Sequence, residues 1–116
     1  MPPKTRVIVC GSSLYMASLA AGLRANPDLD VTRIATNPRE VPGCLRDAKT
    51  DVIAFDLVEL PVDLPVVLLR EYPDLLLLGM DPTSEELLVL SGHHARALGV
   101  ADLVRIIASR ACRNTA

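Results

Sequence analysis

The chain has 116 residues, 50% of them hydrophobic, and its formal net charge at pH 7 is −2. That length is typical of one domain with a single hydrophobic core, so residues 1–116 are treated as one domain, and the apolar content excludes intrinsic disorder. Proteins that bind nucleic acid usually carry basic clusters and stacking aromatic residues. Because the chain has neither, we expect no nucleic-acid partner.

Up to residue 80 the sequence alternates between strand patterns and helix patterns. The predicted strands are the apolar runs at 5–10, 29–35, 51–57 and 74–80. The first helix follows Ser12 or Ser13, either of which can cap it, and it ends at the "NPD" of residues 26–28.

Prolines mark the second and third helices. Asn37 is predicted to cap a helix with Pro38 in its first turn, and the Pro42 and Gly43 that follow predict that this helix is short or irregular. The third helix opens at the prolines of "PVDLP" and runs to Tyr72.

The pattern changes after the fourth strand. The turn "DPTS" (81–84) is too short for a crossover, so the strand-like "ELLVL" (86–90) is predicted to run antiparallel to strand four. With "SGHH" as a turn, "ARAL" (95–98) completes a hairpin, and a helix over 100–111 follows. The alternative, a helix over 84–97, is opposed by Gly92 and by the β-type residues "LLVL".

These elements predict an α/β fold. We expect a three-layer sandwich whose parallel sheet has the order 2-1-3-4 and is extended by a C-terminal β-hairpin and a final helix.

Three segments carry a resemblance to a known family. They are "RVIV" in the first strand, "TDVIAFDL" around the third, and "REYPDLLLL" leading into the fourth. This layout resembles the response-regulator receiver domain, which has a flavodoxin-like fold. The resemblance covers about residues 5–80 and the final helix.

The resemblance implies that Asp56 stands at the position of a phosphate-accepting aspartate. Receiver domains also supply two acids after strand one that hold Mg²⁺, a Ser or Thr after strand four, and a Lys after strand five. Here the acid pair aligns with Cys10 and Gly11, and the hydroxyl position falls near Leu78 or Gly79. Phosphoryl transfer depends on such positioning and charge neutralisation, so their replacement predicts that Asp56 is a remnant.

The lysine is also missing from the expected position. The chain has only Lys4 and Lys49, so none can follow the fifth strand. A different register, with "LLVLSG" as strand four and Ser91 as the hydroxyl, restores one group and leaves the metal ligands and the lysine absent. We therefore expect a degenerate receiver, or pseudo-receiver, that is not an enzyme.

The loop after the first strand is a candidate anion-binding loop. Cys10, Gly11, Ser12 and Ser13 lie between a strand and a helix N-terminus, where backbone N–H groups favour anions. The loop is similar to the cysteine phosphate loop of sugar phosphotransferase IIB domains, but the bulky "LYM" that follows crowds it. The alternative is that Cys10 is a small buried thiol.

No other constellation predicts a metal site or a cofactor. His93 and His94 are adjacent and point different ways on a strand or turn, and no third ligand clusters with them. No "GxSxG" elbow joins the Ser, His and Asp residues into a triad. We expect no metal and no cofactor.

Two features bear on location. The apolar runs are interrupted by charge or proline before about 20 residues, the length that spans a bilayer, and "VIVC" does not continue into a signal peptide. Three cysteines, one of them in a buried strand, favour free thiols. These features predict a cytoplasmic protein with no membrane partner.

We therefore expect a non-catalytic module that acts through protein–protein contact in a signalling or regulatory system. The alternative is a phosphoacceptor or anion-binding receiver that uses Asp56 and the loop of residues 10–13. The final helix offers Leu103, Ile106 and Ile107 to the core, and its apolar stripe is wider than one face. A homodimer is predicted, with an interface at Arg96, Val100, Val104 and Ala111.

Overall fold

The structure, a computed structural model, describes residues 4–34, 38–47, 49–84, 86–92 and 99–114. Its elements are β1 (Thr5–Cys10), α1 (Leu14–Arg24), β2 (Leu29–Ile34), α2 (Val41–Asp47), β3 (Val52–Asp56), α3 (Leu64–Glu71), β4 (Leu76–Met80), β5 (Leu87–Ser91) and α4 (Val100–Asn114). A 3-10 turn, Pro38–Glu40, leads into α2, which is short, as predicted; Pro42 and Gly43 lie within its first turn, where proline is tolerated.

The described strands form one sheet of order β2-β1-β3-β4-β5. β1 to β4 are mutually parallel, and β5 runs antiparallel to β4, with Leu77 opposite Leu90. This confirms the predicted order and the antiparallel fifth strand. Residues 86–92 hold no helix, so the alternative helix over 84–97 is wrong. The predicted second hairpin strand at 95–98 lies outside the described residues.

Helices lie on both faces of the sheet. One face packs against α2 and α3 in a core of alternate strand residues and helix residues: Ile8, Cys10, Ile34, Val41, Leu45, Ile53, Phe55, Leu64, Leu68, Leu75 and Leu77. The other face packs against α1 in a smaller cluster of Val7, Val9, Met16, Ala20 and Ala54. The strands alternate between the two clusters because successive side chains point to opposite faces.

The N-terminus of α1 is capped locally. Ser13 has extended backbone angles, and its side chain accepts a hydrogen bond from the Met16 N–H at 3.2 Å. Of the two serines expected as caps, Ser13 therefore takes the role. The cap fixes where the chain leaves β1 and turns back over the sheet. The predicted cap of the second helix, Asn37, lies outside the described residues.

The final helix does not pack as predicted. Leu103, Ile106 and Ile107 were expected in the core, but their side chains are exposed. Residues 100–109 of α4 contain no buried side chain. The expectation failed because helical periodicity shows that one side of a helix is apolar and does not show what covers that side.

Candidate functional site

Asp56 lies at the carboxyl edge of the sheet, where β3 ends. Its side chain is only 4% exposed, and its Oδ1 accepts a hydrogen bond from the Val58 N–H at 2.9 Å. The Asp56 carbonyl oxygen accepts a second bond from the Glu59 N–H at 3.1 Å. The carboxylate therefore stabilises the turn that leaves β3, which is a structural task that aspartate performs in many turns.

Gly11 lies directly against Asp56. A Cβ atom at position 11 would come within 2.6 Å of the Met16 Cγ and 3.3 Å of the Asp56 Cβ. Met16 is fully buried, and its side chain lies beside Asp56 on the side of Gly11 where a Cβ would project. The position at which a receiver domain carries its second metal-binding acid thus has no room for a side chain in this packing.

A second carboxylate occupies the loop that was predicted to bind an anion. Glu59, on the turn after β3, accepts a hydrogen bond from the Ser12 N–H at 3.0 Å and another from the Ser12 hydroxyl. These bonds lower the pKa of Glu59. The protein's own side chain therefore takes the amide that an anion on this loop would use.

Cys10 ends β1 as a buried thiol. Burial, together with the nearby negative charge of Glu59, raises the pKa of Cys10 to about 11. The thiolate is the nucleophilic form of cysteine, so Cys10 is poorly suited to accept a phosphoryl group. This environment fits the alternative reading of Cys10 as a core residue.

Both lysines lie at the opposite edge of the sheet. Lys4 directly precedes β1, and Lys49 precedes β3 and lines a cavity of about 450 Å³ between the ends of α2 and α3. The five residues of β3 span about 16 Å, which separates this edge from Asp56 by more than a lysine side chain can bridge. Neither lysine can neutralise charge at Asp56.

The β4 residues beside the end of β3 do not carry the hydroxyl expected from strand four. Met80 is the β4 residue opposite Asp56, and Gly79 packs against the Leu57 side chain. The second register used Ser91, but Ser91 pairs with Leu76 at the start of β4. That register is wrong, because an antiparallel β5 carries its last residue to the amino edge of the sheet.

Arg33 supplies a cation at the carboxyl edge, near the end of β2. Its guanidinium donates a hydrogen bond to the Gly11 carbonyl oxygen at 3.3 Å. Its Nε is buried and has no hydrogen-bond partner among the described residues.

Sequence reasoning missed Arg33, Met16 and Glu59. Each lies at the carboxyl edge only because the crossover connections place separate segments together there.

The predicted interface residues are partly described. Val100 and Val104 lie on α4 and are exposed, whereas Arg96 and the side chain of Ala111 lie outside the described residues. Three further exposed apolar residues, Leu87, Leu88 and Val89, lie on β5. The sequence signal for these was the unbroken run "LLVL", which on a strand must place apolar side chains on both faces.

No metal site is visible in the described part of the chain, which contains no group of three or more His, Cys, Asp or Glu able to hold an ion. His93 and His94 lie outside it. Among the helices within the described ranges, none combines the length and apolarity needed to cross a bilayer.

Comparison with known proteins gives no relative for this chain: no family model, curated protein or solved structure matches it.

Proposed function

We propose that this chain is a non-catalytic, receiver-like module that works in the cytoplasm through protein–protein contact in a signalling or regulatory system. The observation that carries the proposal is the exposed apolar surface of β5 and α4. Eight aliphatic side chains on these two elements are between 42% and 75% exposed: Leu87, Leu88, Val89, Val100, Leu103, Val104, Ile106 and Ile107. Apolar patches of this kind mark interaction surfaces.

The surroundings of Asp56 support a role without phosphorylation. Phosphoryl transfer to a carboxylate needs a metal ion or fixed cations to neutralise the developing charge. The Met16 side chain leaves no room for a side chain at position 11, where the second metal-binding acid would stand, and the Glu59 carboxylate already binds the Ser12 amide of the same loop. The proposed module has the aspartate but lacks the metal-binding acids and the lysine of a receiver domain.

A second candidate function is the binding of a small anion at the carboxyl edge. Arg33 favours it, because a buried Nε–H without a hydrogen-bond partner is costly unless something accepts it. Glu59 opposes it, because its carboxylate already binds the Ser12 N–H and repels a second negative charge. Because Glu59 repels the anion that Arg33 would attract, anion binding is less well supported than protein–protein contact.

Phosphorylation is tested with the intact chain, acetyl phosphate and Mg²⁺, read by intact mass. We expect no added phosphoryl group. A mass gain that is lost in Asp56→Ala would overturn the proposal. Titration with inorganic phosphate, followed by the Ser12 amide NMR signal and repeated with Arg33→Gln, tests the second candidate. Saturable binding that Arg33→Gln removes would replace the proposed function.

The contact surface is tested by pull-down from cells that produce the chain. Wild type is compared with Val104→Glu, which places a charge in the exposed surface, and with Ser109→Glu, which places the same charge on the polar side of α4. We expect a protein retained by wild type and Ser109→Glu to be lost with Val104→Glu. Equal retention by all three would contradict the proposed surface.

A further inference from the structure

The face of the sheet that packs on α1 is only partly covered. Leu78 and Met80 of β4 are partly buried there, and they pair across the sheet with Val89 and Leu87 of β5. Residues directly opposite in an antiparallel pair share a face. Leu87 and Val89 therefore extend this apolar face beyond α1, and both are about half exposed. We call the surface formed by Leu78, Met80, Leu87 and Val89 the open sheet face.

α4 carries an exposed apolar surface, like the open sheet face. Its five exposed aliphatic side chains, from Val100 to Ile107, fall within an arc of about 160° on a helical projection of 100° per residue. An arc of that width is typical of a helix that packs on a sheet or in a bundle. In the single chain it packs on neither, since residues 100–109 bury no side chain.

The shape of the chain agrees with an undocked helix. Its radius of gyration is 16.3 Å and its longest dimension is 47 Å. A compact domain of this length has a radius of gyration of about 13 Å. The chain thus presents two apolar surfaces, the open sheet face and the arc of α4, that are not packed against each other.

The two segments that carry these surfaces have formal charges of opposite sign. Residues 81–91 contain three acids and no base, a formal charge of −3, whereas residues 100–114 contain one acid and three arginines, a formal charge of +2. Association of α4 with the β5 segment therefore joins segments of opposite formal charge. The same comparison disfavours two β5 strands, or two α4 helices, placed side by side.

We propose that a second copy of this chain covers the open sheet face by reciprocal exchange of α4, so that each helix packs on the sheet of its partner. Exchange of an identical element is a low-cost route to a symmetric dimer. Two such contacts would bury roughly 800 Å² of apolar surface. The basis is that an aliphatic side chain loses roughly 60–120 Å² of accessible surface when it goes from full exposure to full burial. With the polar rim included, the buried area approaches the size of a standard interface, about 1,200–2,000 Å².

This inference rests on the proposed function, and the partner that it specifies is a second copy of the chain. Light scattering over a concentration series is expected to give twice the 12.5 kDa mass of one chain. Leu87→Glu and Leu88→Glu form a matched pair, since both residues are 48% exposed and lie on opposite faces of β5. Leu87→Glu is expected to weaken the dimer at least about 100-fold, because both copies bury an unpaired charge, and Leu88→Glu to leave it intact.

Mixing two variants tests the exchange itself. Leu87→Glu and Val104→Glu should each be monomeric alone. Mixed in equal amounts they should form a heterodimer, because the unchanged α4 of one chain can pack on the unchanged sheet face of the other. In a symmetric helix–helix dimer Leu87→Glu would stay dimeric, and in a symmetric strand–strand dimer Val104→Glu would stay dimeric. Either result, or a dimeric wild type whose variants fail to complement, would overturn the exchange.

A wild type that stays monomeric at every concentration would also overturn the inference, because α4 would then cover its own sheet or bind another protein. The proposed function would survive that result if the pull-down partner were still lost with Val104→Glu. Far-UV circular dichroism of each variant separates loss of the dimer from loss of the fold. If Leu87→Glu unfolds, Val89→Lys is used in its place with the same expectation.

Discussion

Replacing Gly11 with alanine adds one methyl group at a crowded point beside Asp56. The new carbon would lie 2.6 Å from the Met16 Cγ and 3.2 Å from its Cβ. Unstrained carbon atoms approach to about 3.5–4.0 Å, so the two groups must separate by about 1 Å. Met16 is fully buried and cannot swing into solvent, which means that α1 or β1 must shift.

The expected cost follows from this overlap. Overpacking of a buried site costs about 1–3 kcal/mol, and the reduced freedom of alanine in the unfolded chain returns about 0.4–1 kcal/mol. No described glycine has a positive φ angle, so the cost is steric and does not come from backbone strain. We expect a net loss of about 1–2 kcal/mol, with a fall in Tm of roughly 4–8 °C for each kcal/mol.

Thermal and urea unfolding of a double-mutant cycle measures the effect. Met16→Ala alone should cost about 2–5 kcal/mol because it leaves a cavity. In the double variant the added methyl group enters that cavity, so the combined loss should be smaller than the sum of the two by about 1 kcal/mol or more. Gly22→Ala is the matched control. Its Cβ would meet no atom within 4 Å, and it should stabilise α1 by about 0.5–1 kcal/mol.

A Gly11→Ala variant that melts at or above the wild-type temperature, or an additive cycle, would contradict this packing. Either result would mean that Met16 does not close the space beside Asp56. Position 11 would then have room for a metal-binding acid.

Two further predictions concern the groups around Ser12. The pKa of Cys10 is raised from 9.0 to about 11, so less of this thiol is in the reactive thiolate form. Iodoacetamide at about pH 8 should therefore modify Cys10 at least about 100-fold more slowly than exposed Cys44, as read by peptide mass spectrometry. Equal rates would contradict the burial of Cys10. Because the hydrogen bonds from Ser12 lower the pKa of Glu59 from 4.5, their contribution to stability is fully present above pH 4.5 and is lost as the pH falls through the lower folded value. The Ser12 amide NMR signal should therefore titrate with a midpoint below 4.5, and Glu59→Gln should abolish that titration; a midpoint above 4.5 would show that the contact does not form.

Much of the fold could be predicted because its causes are local. The apolar runs at 5–10 and 51–57 are bounded by turn residues, whereas the apolar residues from Leu14 to Leu23 recur at helical spacing, so strand and helix could be told apart. The short "DPTS" connection excluded a crossover and therefore set the direction of β5. Neither inference required knowledge of contacts between distant segments.

The candidate site was predicted only in outline. The carboxyl edge was the expected place for chemistry, and Asp56 lies there. The Glu59–Ser12 contact joins residues 47 apart in sequence, and periodicity carries no information about which loop side chain reaches which amide. The failure of Ser91 as a hydroxyl donor has the same origin, since its position depends on how β5 pairs with β4.

The sequence by itself determined that this chain alternates strand and helix, that Ser13 or its neighbour caps α1, and that the final helix has a wide apolar stripe. Those features depend on residues within one or two turns of each other. Only the tertiary structure decided that Gly11, Met16 and Asp56 pack together and that the apolar stripe of α4 stays uncovered in a single chain. Burial is a property of the assembled surfaces, because a side chain is covered only when a distant element, or a second molecule, packs over it.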